Sequence, residues 1–283
     1  MAYAVARGDV EIVAVDAMQV YRRMDIGTAK PTAADRQMVV HHGLDLVEPS
    51  QPYTVADFAR AVGPTVADVA VRGLQPLLVA GTGLYLRALT DPMTIPGQWP
   101  EVRAILESRA QAEGSLALHA QLAELDPIAA TRMEPSNVRR VVRALEVTLG
   151  SGRPFSSFGS GLNDYQPTNF AQVGLRWSRT ALSERISRRV ERMISSGLLA
   201  EVAGLLEEPT PLSRTARQAL GYKELIEHIE GKVGLDEAVS MIILRTRQFA
   251  VRQERWFRRD PRIRWVTIEH DPVAEGLPVL LHS

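Results

Sequence analysis

The sequence contains no cysteine, which excludes disulfide bonds, thiolate metal sites and a cysteine nucleophile. It has no uninterrupted apolar run of about 18 residues, the length that a membrane-spanning helix needs. Residues 1–6 carry no basic segment of the kind that opens a signal peptide. The formal net charge is +0, so any attraction to nucleic acid or membrane must be local. We therefore expect a cytoplasmic protein that binds no membrane.

The composition that is present is that of an ordinary globular protein. The 283 residues are 45% hydrophobic and 23% charged, which argues against general disorder, and the length fits about two domains. Lys30, Lys223 and Lys232 are the only lysines, so the other 30 of the 33 basic residues are arginines. Arginine suits phosphate and RNA recognition. A GC-rich genome produces the same bias, so only clusters of arginines are informative.

Short apolar runs that end near Gly, Pro or Asp alternate with helical patterns, which predicts an α/β fold with a mostly parallel, buried sheet. We predict strands at residues 11–15, 44–47, 76–80, 171–177 and 263–268. A helical pattern at residues 54–72 joins the second and third strands, as a parallel crossover requires.

The middle of the chain has no strand-like run and predicts helices at residues 101–112, 115–125 and 137–149. Segments rich in Pro, Gly and Ser flank these helices and resemble linkers. Further helical patterns follow at residues 182–206 and 235–257. We therefore predict an α/β core from residues 1–95 and 170–283, interrupted by a helical insertion at residues 96–169.

Two chemical features follow predicted strands, at the edge where ligands of open parallel sheets bind. Asp16 follows the first strand and offers a carboxylate for general-base or metal chemistry. Gly81, Thr82 and Gly83 follow the third strand, where backbone N–H groups between glycines can approach a phosphate. We expect both features to open onto one crevice. The alternatives are that Asp16 caps a helix and that the glycines only form a turn.

Arginines cluster in two places. Arg139, Arg140 and Arg143 lie on one predicted helix, where they form either a phosphate-binding face or a solvated one. Residues 245–264 hold eight arginines against two acidic residues, a density typical of contact with a polyanion. Trp256 and Phe257 in that stretch are interpreted as core anchors. The six histidines show no metal-ligand spacing.

Longer motifs are more specific than these single residues and clusters. They comprise DAMQVYRRMDIGTAKP (16–31), HH (41–42), PYTVADF (52–58), GTGLY (81–85), NVRRVVRALEV (137–147), RQALGYKE (217–224), TRQFA (246–250) and RWFR (255–258). In these motifs and in their order, the chain resembles the tRNA dimethylallyltransferase family over nearly its whole length.

The resemblance implies a core like that of P-loop NTPases, with helices on both faces of a mostly parallel sheet and an inserted all-helical subdomain that grips the anticodon stem-loop. It implies transfer of a dimethylallyl group from dimethylallyl diphosphate to N6 of the adenosine on the 3′ side of the anticodon, in tRNAs that read codons beginning with U. It also implies nucleotide binding, Mg²⁺ as cofactor, and a monomer.

Residue roles follow from the same resemblance. Asp16 matches the general base, Thr82 a hydroxyl near the bridging oxygen of the diphosphate, and Arg217 an arginine that stabilises the departing diphosphate. Thr82, Gly83 and Arg217 would bind the donor. The expected tRNA contacts are Asp16, Ala17, Met18, Gln19, Thr82, Arg103, Arg139, Arg140, Arg143, Arg217, Gln218, Gly221 and Tyr222. No metal ligand is identified.

Family members also begin with a strand and a Gly-rich phosphate loop, for which this sequence has no match. Either the start codon is placed too late or the chain is a degenerate copy. A degenerate copy would bind tRNA without catalysis, and an in-frame Gly-rich loop upstream of Met1 would exclude it. A transferase acting on free adenine nucleotides is the other alternative, although it would not need the inserted helices.

Overall fold

The computed structural model describes residues 1–159, 161–162 and 164–282. The chain divides into two compact units. One consists of Met1–Asp91 with Pro167–Ser283, and the other of Pro92–Gln166. Within the described residues, no helix is long and apolar enough to cross a membrane.

The first unit contains the strands. The described residues form a three-stranded parallel sheet in the order β2-β1-β3, from β1 (Val10–Val15), β2 (His41–His42) and β3 (Gln75–Ala80). They also form a two-stranded parallel sheet from β4 (Gln172–Trp177) and β5 (Ile263–Ile268). Every residue of β1 is buried, Glu11 included, and its apolar centre is the pattern expected of a central parallel strand.

Helices surround these sheets and build the second unit. In the first half of the chain they are α1 (Ala2–Arg7), α2 (Ala33–Met38), α3 (Val55–Val71), α4 (Gly83–Thr90), α5 (Pro100–Glu113), α6 (Ser115–Leu125), α7 (Pro127–Thr131) and α8 (Val138–Ser151). In the second half they are α9 (Arg179–Ser195), α10 (Leu198–Leu206), α11 (Arg214–Arg217), α12 (Tyr222–Ile229), α13 (Leu235–Phe257) and α14 (Pro272–Leu281). The predicted mixed α/β class is confirmed.

Two sequence-based predictions were wrong. Residues 44–47 form no strand, because Gly43 and Asp45 adopt positive φ angles of 78° and 55° that interrupt extended backbone. The strand that pairs with β1 on the side opposite β3 is His41–His42. The single helix predicted over residues 182–206 is two helices, because Gly197 between them has a φ of 99°.

The main core lies in the first unit. Phe58 of α3, Leu198 of α10 and Leu225 of α12 are fully buried in it with the apolar residues of β1. A separate core in the second unit gathers apolar residues from α5, α6, α7 and α8, with Leu118 and Leu145 completely buried. Each unit therefore has the buried apolar surface that stabilises a domain.

The two sheets leave strand edges unpaired. Among the described residues, β3 pairs only with β1, and β4 pairs only with β5. Val79 on β3 is 53% exposed and Leu175 on β4 is 43% exposed, which is unusual for strands of a parallel sheet. Unpaired backbone and exposed apolar side chains are what a further strand would cover.

Candidate active site and nucleic-acid interface

The carboxyl ends of β1 and β3 meet at one edge of the three-stranded sheet, and Asp16 and Gly81 follow them. The backbone N–H of Ala17 donates to Thr82 Oγ1 at 3.3 Å. A Cβ built on Gly81 would lie 3.3 Å from Asp16 Oδ2, so the turn passes against the carboxylate. The predicted proximity of Asp16 to the Gly-Thr-Gly turn is therefore confirmed.

The two carboxylate oxygens of Asp16 have different environments. Oδ1 accepts hydrogen bonds from the backbone N–H groups of Met18 at 2.7 Å and Gln19 at 3.2 Å, which is the capping arrangement of an Asx turn. In the described part of the chain, Oδ2 accepts no hydrogen bond. One oxygen thus holds the loop, and the other remains available to a substrate.

Helix α4 begins at this site without a side-chain cap. Thr82 occupies the N-cap position, but its Oγ1 accepts from Ala17 and makes no hydrogen bond to the first turn of α4. The first N–H groups of a helix lack intrahelical partners, and the helix dipole places positive charge there. The start of α4 at Gly83 is therefore suited to an anion.

A partly buried network of hydrogen bonds fixes the loop that follows Asp16. Glu201 on α10 accepts hydrogen bonds from the backbone N–H groups of Asp25 at 3.0 Å, Ile26 at 2.8 Å and Gly27 at 3.2 Å. The hydroxyl of Tyr222 donates to the same carboxylate at 2.5 Å. A single glutamate thus holds three consecutive amides of the loop, which favours one conformation.

The structure corrects the expectation for Tyr222, whose side chain is completely buried and so presents no surface to tRNA. Burial raises its pKa, and the hydrogen bond to Glu201 raises it further. The Tyr222 ring fills the space that a side chain on Gly27 would need. Gln218 is exposed, and the N–H of Gly221 donates to Glu224 at 2.9 Å.

The buried side chain of Lys30 also holds this loop in place through hydrogen bonds. Its side chain is 1% exposed, and its ammonium donates to the carbonyl oxygen of Tyr21 at 2.5 Å and to the carboxylates of Asp25 and Asp45, each at 2.6 Å. A buried charge needs such partners. The DIGTAKP motif therefore supports the loop that carries Asp16.

Arg189 on α9 is a cationic side chain that interacts electrostatically with Asp16. Its side chain is exposed to solvent, although neighbouring protein atoms partly desolvate the guanidinium. This desolvation lowers its pKa, attraction to Asp16 opposes that change, and Arg192 lowers the pKa slightly more. Within the described residues Arg189 has no hydrogen bond or ion pair. Arg217 instead pairs with Glu230.

Comparison with known proteins decides the family. The profile of the family described as IPP transferase matches residues 19–260. A tRNA dimethylallyltransferase of Geobacter metallireducens is 45% identical over 258 residues, covering 90% of this chain and 84% of the relative. The chain belongs to the IPP transferase family. A second tRNA dimethylallyltransferase, from Kineococcus radiotolerans, is 47% identical over 90% of this chain and 80% of its own length.

A solved structure confirms the fold of this IPP transferase. The tRNA isopentenylpyrophosphate transferase of Bacillus halodurans superposes with a TM-score of 0.70 and is 34% identical. The match covers 99% of this chain and 89% of that one. The expected family and its P-loop-like α/β fold are therefore both confirmed.

In the helical unit of this IPP transferase, two of the predicted arginines are engaged by Glu146, which is 1% exposed. Arg103 donates to it at 3.2 Å and Arg143 pairs with it at 2.9 Å. Arg143 also donates to the carbonyl oxygens of Pro96 and Gly97, both at 2.9 Å. Arg143 therefore ties the start of the unit to α8.

Arg139 and Arg140 differ from Arg143, because both are exposed at the start of α8. Neither makes an ion pair in the portion of the chain that the structure describes. Their charges are free to meet phosphate, so the structure divides the predicted arginine cluster into a free pair and a structural residue.

The arginine-rich stretch of this IPP transferase is divided in the same way. Arg245 pairs with Glu224, and Arg262 pairs with Asp91 and Asp260. Arg252 is exposed and lies 5.9 Å from the centre of the Phe249 ring. The stretch is therefore part structural network and part exposed basic surface.

Magnesium ligands do not gather in the described residues, where no group of three His, Asp or Glu side chains could hold a metal ion. Mg²⁺ usually keeps waters and binds one or two carboxylates together with substrate phosphates. The residues present therefore do not form a Mg²⁺ site by themselves.

Proposed function

We propose that this IPP transferase transfers a dimethylallyl group from dimethylallyl diphosphate to N6 of the adenosine on the 3′ side of the anticodon, in tRNAs that read codons beginning with U. The observation that carries the proposal is the free Oδ2 of Asp16 beside the uncapped start of α4. A proton acceptor next to an anion site is the pair of groups that such a transfer needs.

In the proposed reaction, N6 forms a bond to the allylic carbon while the bond from that carbon to the diphosphate oxygen breaks. The adenine amine is a weak nucleophile and gains positive charge as the new bond forms. Asp16 Oδ2 accepts the N6 proton, and Oδ1 keeps the loop in place through its two backbone hydrogen bonds. The electron pair of the broken bond leaves with the diphosphate.

The departing diphosphate would lie at the start of α4, where Thr82 and Gly83 offer a hydroxyl and a helix N-terminus. The guanidinium of Arg189, which has no ion-pair partner among the described residues, interacts electrostatically with Asp16. We therefore assign charge stabilisation of the leaving group to Arg189. Arg217, whose charge is already balanced by Glu230, remains in the proposed tRNA-binding set.

This assignment predicts different effects for two arginine substitutions. Arg189→Gln should weaken binding of inorganic diphosphate about tenfold to a hundredfold, because a charge-assisted contact contributes about 1.5–3 kcal/mol. Arg217→Gln, the matched control, should change it less than twofold. Titration calorimetry with inorganic diphosphate measures both. Equal loss in the two variants, or loss only in Arg217→Gln, would reject the assignment to Arg189.

We also propose that the helical unit Pro92–Gln166 binds the anticodon stem-loop, with Arg139 and Arg140 contacting phosphates. Their exposure and free charge support this role. A flipped adenosine would reach Asp16 only after leaving its stack, and bases in a loop do so more easily than bases in a duplex.

Dimethylallyl diphosphate and tRNA are therefore the two partners, and we propose that the protein acts as a cytoplasmic monomer.

The phosphate role of Arg139 predicts a change in salt dependence. Arg139→Gln should lower the slope of log affinity for tRNA against log salt concentration by about 0.7–0.9 units, because one fewer phosphate is neutralised. Arg109→Gln is the matched control, since Arg109 lies in the same unit and is paired with Glu113 at 2.8 Å. Filter-binding titrations at several salt concentrations measure the slope. An unchanged slope in Arg139→Gln would indicate a solvated face.

Turnover needs a complete donor site, and the family resemblance places part of that site in a Gly-rich loop. The term extended chain denotes a protein in which residues 1–283 are preceded by the strand and Gly-rich loop of an IPP transferase relative. The family expectation of Mg²⁺ also concerns that loop, whose hydroxyl and the substrate phosphates would supply ligands.

A further inference from the structure

Helix α13 contacts the Gly-Thr-Gly turn through two side chains. The side-chain amide of Gln253 donates a hydrogen bond to the carbonyl oxygen of Gly81 at 2.6 Å. The indole of Trp256 lies so close to Gly83 that a Cβ at that glycine would overlap it. Gln253 and Trp256 are three residues apart and therefore lie on one face of the helix. That face meets the turn at two points, one on each side of Thr82.

The Gln253 contact completes the fixation of Gly81. The N–H of Gly81 donates to the carbonyl oxygen of Val15 on β1 at 3.3 Å, and its C=O accepts from Gln253. Both backbone groups are thus held by distant segments. The bond from Gln253 thus links the turn to α13, in addition to the bonds that tie the turn to Val15 and Ala17.

The same glycine brings Gln253 close to the carboxylate. A Cβ on Gly81 would lie 3.2 Å from Gln253 Nε2 and 3.3 Å from Asp16 Oδ2, so both side chains flank one point. The charge of Asp16 also acts on Arg189 of α9 and on Tyr85 of α4. Gln253 is neutral, so it places the turn without altering the charge balance of the carboxylate.

We propose that Gln253 and Trp256 are positioning residues, which set Thr82 and the start of α4 relative to Asp16 Oδ2. The proposal rests on the transfer reaction proposed above. Neither residue needs to touch the reacting atoms for this role. Displacement of a reacting group by about 1 Å can reduce a rate by about a hundredfold, so a small movement of the turn is sufficient to matter.

One test needs no turnover and uses the 283-residue chain. Gln253→Ala should accelerate hydrogen exchange about tenfold in peptides covering residues 81–90, because the turn loses a fixed contact. Gln248→Ala, an exposed residue on the same helix, should leave those peptides unchanged. Unchanged exchange in Gln253→Ala would overturn the positioning role, whatever the activity of the protein.

The second test measures transfer in the extended chain. Gln253→Ala should lower kcat about tenfold to a hundredfold and change KM for tRNA less than threefold. Gln253→Glu should also move the acidic limb of the pH profile of kcat upward by about half a unit to one unit, because a second carboxylate disfavours ionisation of Asp16. Gln248→Glu should leave that limb in place. A larger effect on KM than on kcat, or an unmoved limb, would overturn the proposal.

A steric test addresses Trp256. Gly83→Ala should reduce kcat, because the new methyl group would overlap the indole, and Trp256→Leu in the same chain should restore part of the loss. Failure of that partial rescue would count against the contact. Loss of transfer in the extended chain before any substitution would instead count against the proposed function, and the exchange experiment would still decide the positioning role.

Discussion

Asp16→Asn in the extended chain should lower the rate of dimethylallyl transfer by about 10²–10⁴, the range for a lost general base. Affinity for tRNA should stay near normal. The physical reason lies in the two oxygens of the carboxylate. Asparagine keeps an Oδ1 that can accept from Met18 and Gln19, but its amide nitrogen cannot take up the N6 proton in place of Oδ2.

Single-turnover rates and tRNA binding of the same preparation measure this effect. Asp16→Ala is the informative companion, since it removes the loop contacts as well, and it should weaken tRNA binding in addition to slowing transfer. Normal turnover in Asp16→Asn would mean that Asp16 is only a capping residue, and the general base would have to be sought elsewhere.

A second large effect concerns the strand edges. The 283-residue chain should bind tRNA but transfer little or no dimethylallyl group, whereas the extended chain should do both and unfold at a higher temperature. Val79 and Leu175 are substantially exposed on strands whose outer edges are unpaired in the described residues. An added parallel strand would cover such surfaces, and its loop would supply backbone N–H groups to the donor phosphates.

Thermal unfolding and transfer from dimethylallyl diphosphate to purified tRNA test both parts. A control extension of equal length with a scrambled sequence should raise neither quantity. Full transfer by the 283-residue chain would contradict the prediction and would mean that other groups hold the donor. A stable extended chain that binds tRNA and transfers nothing would count against the proposed transfer reaction.

The competing interpretations of Asp16 turn out to be compatible. A carboxylate after a strand is often a cap, and the structure shows that Oδ1 is one. Oδ2 remains available because the neighbouring turn residue is a glycine, whose missing Cβ leaves room beside it. Neither role could be assigned from a single residue in the sequence, since the distinction lies between two atoms of one side chain.

The local patterns of the sequence were sufficient for much of the fold. The helices at residues 115–125 and 235–257 and the strand at residues 263–268 agree with the structure at both ends, because apolar spacing and terminal residues act within a few positions of each other. The meeting of Asp16 with the Gly-Thr-Gly turn was also predictable. Neighbouring parallel strands must bring their carboxyl ends to one edge.

Tertiary structure alone decided which charges are free. Arg143 and Arg139 are one helical turn apart and look equivalent in sequence, yet only Arg143 is engaged by the buried Glu146. Arg189 and Arg217 likewise both lie on helices, yet within the described residues only Arg217 pairs with an acidic side chain, Glu230. Charge balance depends on partners from other elements, which a local pattern does not contain.

Contacts between segments that are distant in the sequence account for the features of the site that the sequence did not predict. Gln253 reaches Gly81 across 172 residues, and Glu201 reaches Ile26 across 175. The sequence by itself determined the family, four of the five strands and the position of the carboxylate, because these depend on local residue order. The geometry of the site depends on which side chains meet after folding, so only the tertiary structure could place Gln253, Glu201 and the buried Tyr222.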